Sequence, residues 1–147
     1  MNESSITVKV KKLNPDATVP QQAKSGDAAY DLYSIDDYLL ASQSRLAIHT
    51  GIAIEIPTGY EGQVRPRSGL ALKQGITVVN SPGTIDCGYR GEVVVILHNL
   101  GEGGFYIKKG MRIAQLAIRP VPEVRFELVD ELGGSDRGEG GFGSTGT

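Results

Sequence analysis

Apolar residues that recur at every second position, in short runs broken by glycine and proline, constrain this chain more than any other feature. The clearest run is LAIHTGIAIEIP, Leu46 to Pro57, in which Ile52, Ile54 and Ile56 fall on one side of an extended backbone. Ile6, Val8 and Val10 alternate with Thr7, Lys9 and Lys11 and predict a first strand. AAYDLYS (Ala28 to Ser34), FYIKKGMRIAQLAIRPV and RFELVDEL add further strand candidates. Asn14 to Gly26 is polar, contains Pro15 and Pro20, and reads as a loop. Helical signal is confined to SGLALKQG, Ser68 to Gly75, where Ser68 can cap the start and Gly75 can stop the end. No βαβ pattern and no internal repeat is present. About nine or ten short strands at sandwich-like spacing predict an all-β fold, a jelly-roll or β-sandwich with one short helix.

Within that frame the stretch Asn80 to Gly91, NSPGTIDCGYRG, stands out. ITVVN leads into it and EVVVILHN leads out, both rich in β-branched residues. Pro82, Gly83, Asp86, Gly88 and Gly91 lie between them. That density of turn formers predicts a tight hairpin whose backbone N–H and C=O groups can meet a flat ligand edge-on. A carboxylate, Asp86, and an aromatic, Tyr89, sit three residues apart at its tip. By itself the stretch reads more readily as an ordinary surface hairpin with Asp86 as a turn residue.

The 147 residues suit one domain with a real core. A net charge of −2 argues against a broad polyanion-binding surface, so no direct nucleic-acid binding is expected. The single cysteine, Cys87, excludes an intrachain disulfide and fits a reducing compartment. MNESSITVKVKK has no apolar leader pattern and no long apolar run follows, so neither secretion nor a membrane span is expected. These features together point to the cytoplasm, or to the nucleus if the source is eukaryotic or viral.

From Gly133 the composition changes. Residues 133–147, GGSDRGEGGFGSTGT, hold seven glycines and one large apolar side chain, Phe142. Such a segment cannot build a core, so the chain divides into a folded unit over residues 1–132 and a glycine-rich arm over 133–147. The arm is either a disordered tail or a cover that orders over a ligand. GEGGFGST looks like a phosphate-cradling loop but has Ser144 where that motif needs lysine, and it lacks strand–loop–helix context.

Five stretches, AAYDLYS, PRSGLA, GTIDCGYRG, RIAQL and RGEGGFGSTG, occur in the order and at roughly the spacing of the five motifs of the homotrimeric dUTP diphosphatases, the dUTPases. The resemblance covers residues 28 to 146, and five motifs in order are far more specific than any one.

What the resemblance implies is hydrolysis of dUTP to dUMP and pyrophosphate, which limits uracil incorporation into DNA and supplies dUMP for thymidylate synthesis. Asp86 would be the general base that activates water for attack on the α-phosphorus. Backbone groups near Ile85 and Val94, with Asn80 and Thr84, would read uracil. Tyr89 would lie against the deoxyribose and exclude a 2′-hydroxyl. Arg67, Ser68 and Gly69 would meet the phosphates at the start of the short helix. Gln115 would bond a phosphate or support an arginine. Mg2+ held mainly by the triphosphate and water would contact Asp31 through water. Asp36 and Asp37 read as solvated loop residues, and His49 and His98 show no metal-ligand spacing. In the arm Phe142 would stack on uracil, while Arg137, Gly143, Ser144 and Thr145 reach the phosphates. Each site would draw on three subunits of a homotrimer: one for the phosphate and metal motifs, one for the hairpin, one for the arm.

Two alternatives deserve a place beside this. The related dCTP deaminases carry a catalytic glutamate on the strand after the hairpin, where this chain has Ile96. A non-catalytic nucleotide sensor is the other, and the presence of Asp86 and every motif argues against it.

Overall fold

The structure, a computed structural model, describes residues 5–146. Alternating segments become ten strands, and the one helical segment becomes a single short helix. In chain order these are β1 (Lys9–Lys12), β2 (Tyr30–Tyr33), β3 (Tyr38–Leu40), β4 (Arg45–Glu55), β5 (Tyr60–Arg65), α1 (Ser68–Gln74), β6 (Ile76–Val78), β7 (Gly83–Ile85), β8 (Glu92–Asn99), β9 (Phe105–Ile107) and β10 (Arg112–Pro120). Two four-stranded sheets form, ordered β1-β4-β8-β6 and β2-β10-β5-β7, with β3 and β9 as a small third sheet. Every pairing is antiparallel.

One apolar core lies between the two larger sheets. Ile48, Ile52, Ile54, Val93, Val95 and Leu97 face it from the first, and Leu32, Val64, Ile113 and Leu116 from the second. The alternation drives this arrangement: on β8, Val93, Val95, Leu97 and Asn99 are buried while their neighbours are not. Ile52, Ile54 and Ile56 all go inward as expected. Asn99 is the polar residue on that face of β8, and its amide is fully bonded. Its amide donates to Leu40 O at 3.0 Å and Gly103 O at 2.9 Å, and its Oδ1 accepts from Gly101 N–H at 2.8 Å.

Four expectations need correction. Ser68 does not cap the helix: Arg67 holds the cap position with extended angles, φ −83° and ψ 126°, and no side chain bonds the free N–H groups. Ser68 is the first helical residue, so its hydroxyl stays available. Gly75 does end the helix, at φ 69°, a left-handed conformation that glycine adopts without strain. The first strand is shifted: β1 covers Lys9–Lys12, and Ile6 lies outside it and is exposed. RFELVDEL forms no strand, because among the described residues no strand lies beside residues 125–132 to pair their backbone. The stretch 80–91 is not a tight turn. β6 and β8 pair as the arms of a hairpin, but the connection crosses to the second sheet, where β7 pairs with β5 through Gly62↔Ile85, Gln63↔Thr84 and Val64↔Gly83.

Candidate active site

The crossing of that connection opens a cavity. β6 ends at Val78 and the last main-chain bond of the pair runs from Val79 N–H to Ile96 O at 2.9 Å. Successive residues of a strand turn their peptide groups to opposite edges. Ile96, Val94 and Glu92 therefore share one edge of β8, and beyond Ile96 no strand lies beside it. At the far end Glu92 O accepts the Tyr89 hydroxyl at 2.8 Å. Between the two, Val94 presents its main chain to a cavity of about 160 Å3. Asn80, Thr84, Ile85, Tyr89, Val94 and Ile96 are among its walls. Five of the expected base and sugar contacts thus surround one space. Ile96 makes an apolar wall where a deaminase needs a carboxylate.

Asp86 follows Ile85 directly and is exposed. A one-turn loop fixes it relative to the ring, with Tyr89 N–H donating to Asp86 O at 3.0 Å. Tyr89 is 46 % exposed, so one side of the ring is open.

A second cluster lies on the outward face of the other sheet. Gln115 of β10 stands opposite Asp31 of β2 and opposite Arg65 of β5. Asp31 is buried, and its carboxylate pairs with the Arg112 guanidinium at 3.6 Å. Arg67 donates to Arg112 O at 2.9 Å, which ties the start of α1 to the same place. Burial first, and the Asp31 charge second, push the neighbouring Tyr33 phenol above its ordinary range, with Arg112 opposing. Ser68 and Gly69 are exposed at the helix start. None of these residues lines the cavity beside β8.

The arm forms the third group. Arg137 Nε donates to Gly140 O at 2.7 Å, and Ser144 N–H to Gly141 O at 3.0 Å, so its bonds are local turns. Phe142, at φ 52°, is fully exposed, and Arg137, Gly143, Ser144 and Thr145 are exposed. Within a single chain, neither the Asp31–Gln115 group nor the arm residues line the cavity.

Comparison with known proteins shows the family. A sequence model of the dUTPase family matches residues 15–146. The deoxyuridine 5′-triphosphate nucleotidohydrolase of Clostridium kluyveri is 56% identical over 138 residues, covering 94% of this chain and 96% of that protein. The chain belongs to the dUTPase family. A Staphylococcus bacteriophage 80alpha dUTPase variant with dUpNHpp superposes with a TM-score of 0.91 at 32% identity, over 97% of this chain and all of the other. A dUTPase variant from phage phi11 of S. aureus, whose structure details coordination of a structural Mg(II) ion, gives 0.80 at 27% identity over 86% and 98% of the two chains. The activity of this dUTPase is dUTP hydrolysis, and its all-β fold is that of its relatives.

Two residues that support the candidate site of this dUTPase escape a reading of the strands. Arg112 is one. Strict alternation puts residues 112 and 115 on opposite faces, but a bulge between Arg112 and Ala114 inserts one residue. Arg112 then stands opposite Tyr33 while Gln115 stands opposite Asp31, and both point outward. Its place in RIAQL is the only sequence signal for it. Glu92 is the other: besides receiving Tyr89 on its carbonyl, its carboxylate holds His49 Nδ1 at 3.0 Å and Gly51 N–H at 3.0 Å. That anchors the start of β8 across the irregular pairing with β4. No motif marks it. Among the described residues of this dUTPase no helix is long and apolar enough to cross a membrane.

Proposed function

We propose that dUTP is hydrolysed to dUMP and pyrophosphate at sites built from three copies of this chain, with Asp86 as the general base. The cavity against the free edge of β8 carries the proposal. At about 160 Å3 it is smaller than the ~300 Å3 at which ordinary ligand sites begin, and suits a single-ring base. Main-chain groups of Ile85 and Val94, with Asn80 and Thr84, read the donor and acceptor pattern of uracil. Crowding by the walls excludes a 5-methyl group. Tyr89 packs on the deoxyribose where a 2′-hydroxyl would stand.

The α-phosphorus then lies near Asp86. The carboxylate takes a proton from a water as its oxygen attacks phosphorus, and the bond to the pyrophosphate oxygen breaks. Arg67, Ser68, Gly69 and Gln115 meet the phosphate oxygens. Arg137, Gly143, Ser144 and Thr145 close over them, while Phe142 covers the base. The reaction removes dUTP before a polymerase can use it, and its product feeds thymidylate synthesis.

The donor set fits magnesium carried mainly by the substrate. Among the described residues no three His, Cys, Asp or Glu side chains cluster into a protein cage. Asp31 offers one carboxylate beside Gln115, and Mg2+ ordinarily takes one or two carboxylates plus phosphates and waters. When bound, the ion would neutralise charge on the triphosphate, with Asp31 reached through water.

Two unpaired surfaces support the assembly. Val124, Phe126 and Leu128 alternate with Arg125 and Glu127, and Phe126 and Leu128 are 94 % and 100 % exposed. An apolar groove of about 570 Å3, lined by Val8, Val10, Val19, Tyr30 and Ile118 among others, runs beside β1 and β2, one edge strand from each of the two larger sheets. Segment 124–128 of a neighbouring copy fills that groove, and closed three-fold symmetry satisfies every copy. Co-expressing Asp86→Asn subunits with subunits lacking residues 133–147 tests the shared site. Each variant alone is inactive, and the mixture regains activity, because an intact arm then closes over an intact Asp86. A mixture as inactive as its parts contradicts the proposal.

A further inference from the structure

We infer that Gly91 is a positioning residue for sugar selection: its missing side chain is what lets the Tyr89 ring fold back over the chain and lie at the cavity. This rests on Tyr89 as the group that meets the sugar. Gly91 does not have the left-handed φ found at eight other glycines, so conformational freedom is not the reason for glycine here. Space is. A Cβ placed on Gly91 would stand 2.7 Å from Tyr89 Cζ and 3.0 Å from Cε1, and closer still to the hydroxyl oxygen. Non-bonded carbons sit at ~3.5–4.0 Å, so an alanine and this ring position exclude each other.

The ring is what yields. It is 46 % exposed, and its one side-chain bond is from the hydroxyl to Glu92 O. The main chain on either side is fixed more firmly, by the turn from Asp86 to Tyr89 and by the entry into β8. An added methyl group therefore swings the ring outward, breaks the bond to Glu92 and opens the sugar side of the cavity. The backbone that reads uracil stays in place. Gly88, in the same loop, supplies the contrast: nothing lies within 4 Å of a Cβ placed there, and its φ is not left-handed.

The test compares kcat/KM for dUTP and UTP in full-length wild type, Gly91→Ala, Gly88→Ala, Tyr89→Ala and the Tyr89→Ala/Gly91→Ala double variant. Gly91→Ala should raise the UTP:dUTP ratio roughly tenfold, the scale of small steric changes in a pocket. Gly88→Ala should leave the ratio unchanged. In the Tyr89→Ala background Gly91→Ala should add nothing, since the ring through which it acts is gone. The melting temperature of Gly91→Ala should stay within about 5 °C of wild type. A wild-type ratio in Gly91→Ala, with a raised ratio in Tyr89→Ala, overturns the inference and leaves Tyr89's role intact. Full additivity in the double variant overturns it too. A wild-type ratio in Tyr89→Ala refutes the sugar role itself and the inference with it. If Gly91→Ala fails to fold while the double variant folds, the collision displaces backbone instead of ring, and the inference is wrong.

Discussion

Two side chains carry the sharpest residue-level consequences. Asp86 is exposed and held by a one-turn loop, so replacing its carboxylate with an amide changes little except the ability to take a proton. Asp86→Asn should lower kcat by ~10²–10⁴ while a non-hydrolysable dUTP analogue binds with unchanged affinity. Single-turnover kinetics beside calorimetric titration would show both, and near-normal kcat would remove Asp86 from the role of base. Arg112 supports a different kind of statement. It is the cation paired with Asp31, whose side chain is only 7 % exposed, so Arg112→Ala strands a buried carboxylate. Arg112 is itself half exposed, which tempers the effect to about 1–2 kcal/mol, or ~2–6 °C in Tm. Arg112→Lys should recover part of it. An unchanged Tm in Arg112→Ala would mean that the pair contributes nothing.

Among the elements, the arm differs from everything before it. Fixing its backbone costs ~1–2 kcal/mol per residue, with glycine at the upper end, and its bonds in the free chain are local turns. Only ligand contacts can offset that cost. Deleting residues 133–147 should leave Tm within a few degrees and lower kcat far more than it weakens ground-state binding, because closure serves charge that develops in the transition state. Phe142→Ala should reproduce part of the loss. Unchanged kcat, or a collapsed Tm, would each contradict a lid. The elements also divide by how legible they were. β8 matches EVVVILHN residue for residue because both of its faces and both of its neighbours belong to one chain. RFELVDEL has a similar alternation, but among the described residues no strand pairs with it. Pattern registers an apolar face, not whether the surface that covers it is intramolecular. The crossing of β7 between sheets and the bulge before Gln115 were invisible for a related reason: each depends on register with a distant strand. The residues that line the cavity came together as a set only through the five motifs. Asp86 and Tyr89 alone gave a turn.

At the scale of the whole molecule, one chain leaves the stripe Val124, Phe126 and Leu128 exposed and an apolar groove open beside β1 and β2. Burying a side chain of this size is worth ~1.5–3 kcal/mol, and each copy in a trimer gains it. Phe126→Asp should therefore shift the mass measured by light scattering from trimer toward monomer. Activity should fall with it, since the proposed site draws its three groups of residues from three chains. An active Phe126→Asp monomer would sink both the trimer and the shared site. The central claim is more direct: this fold selects dUTP and cleaves it between the α- and β-phosphates. Pyrophosphate release should be measured for dUTP, dCTP, dTTP and UTP with the full chain, with and without Mg2+. The account predicts that dUTP is turned over with Mg2+ and that dCTP, which mismatches the edge of β8, falls behind by ~10⁴ or more. It also predicts that dTTP and UTP are poor, and that chelating the metal suppresses the reaction. Comparable release from dCTP and dUTP, or release of orthophosphate in place of pyrophosphate, would contradict it.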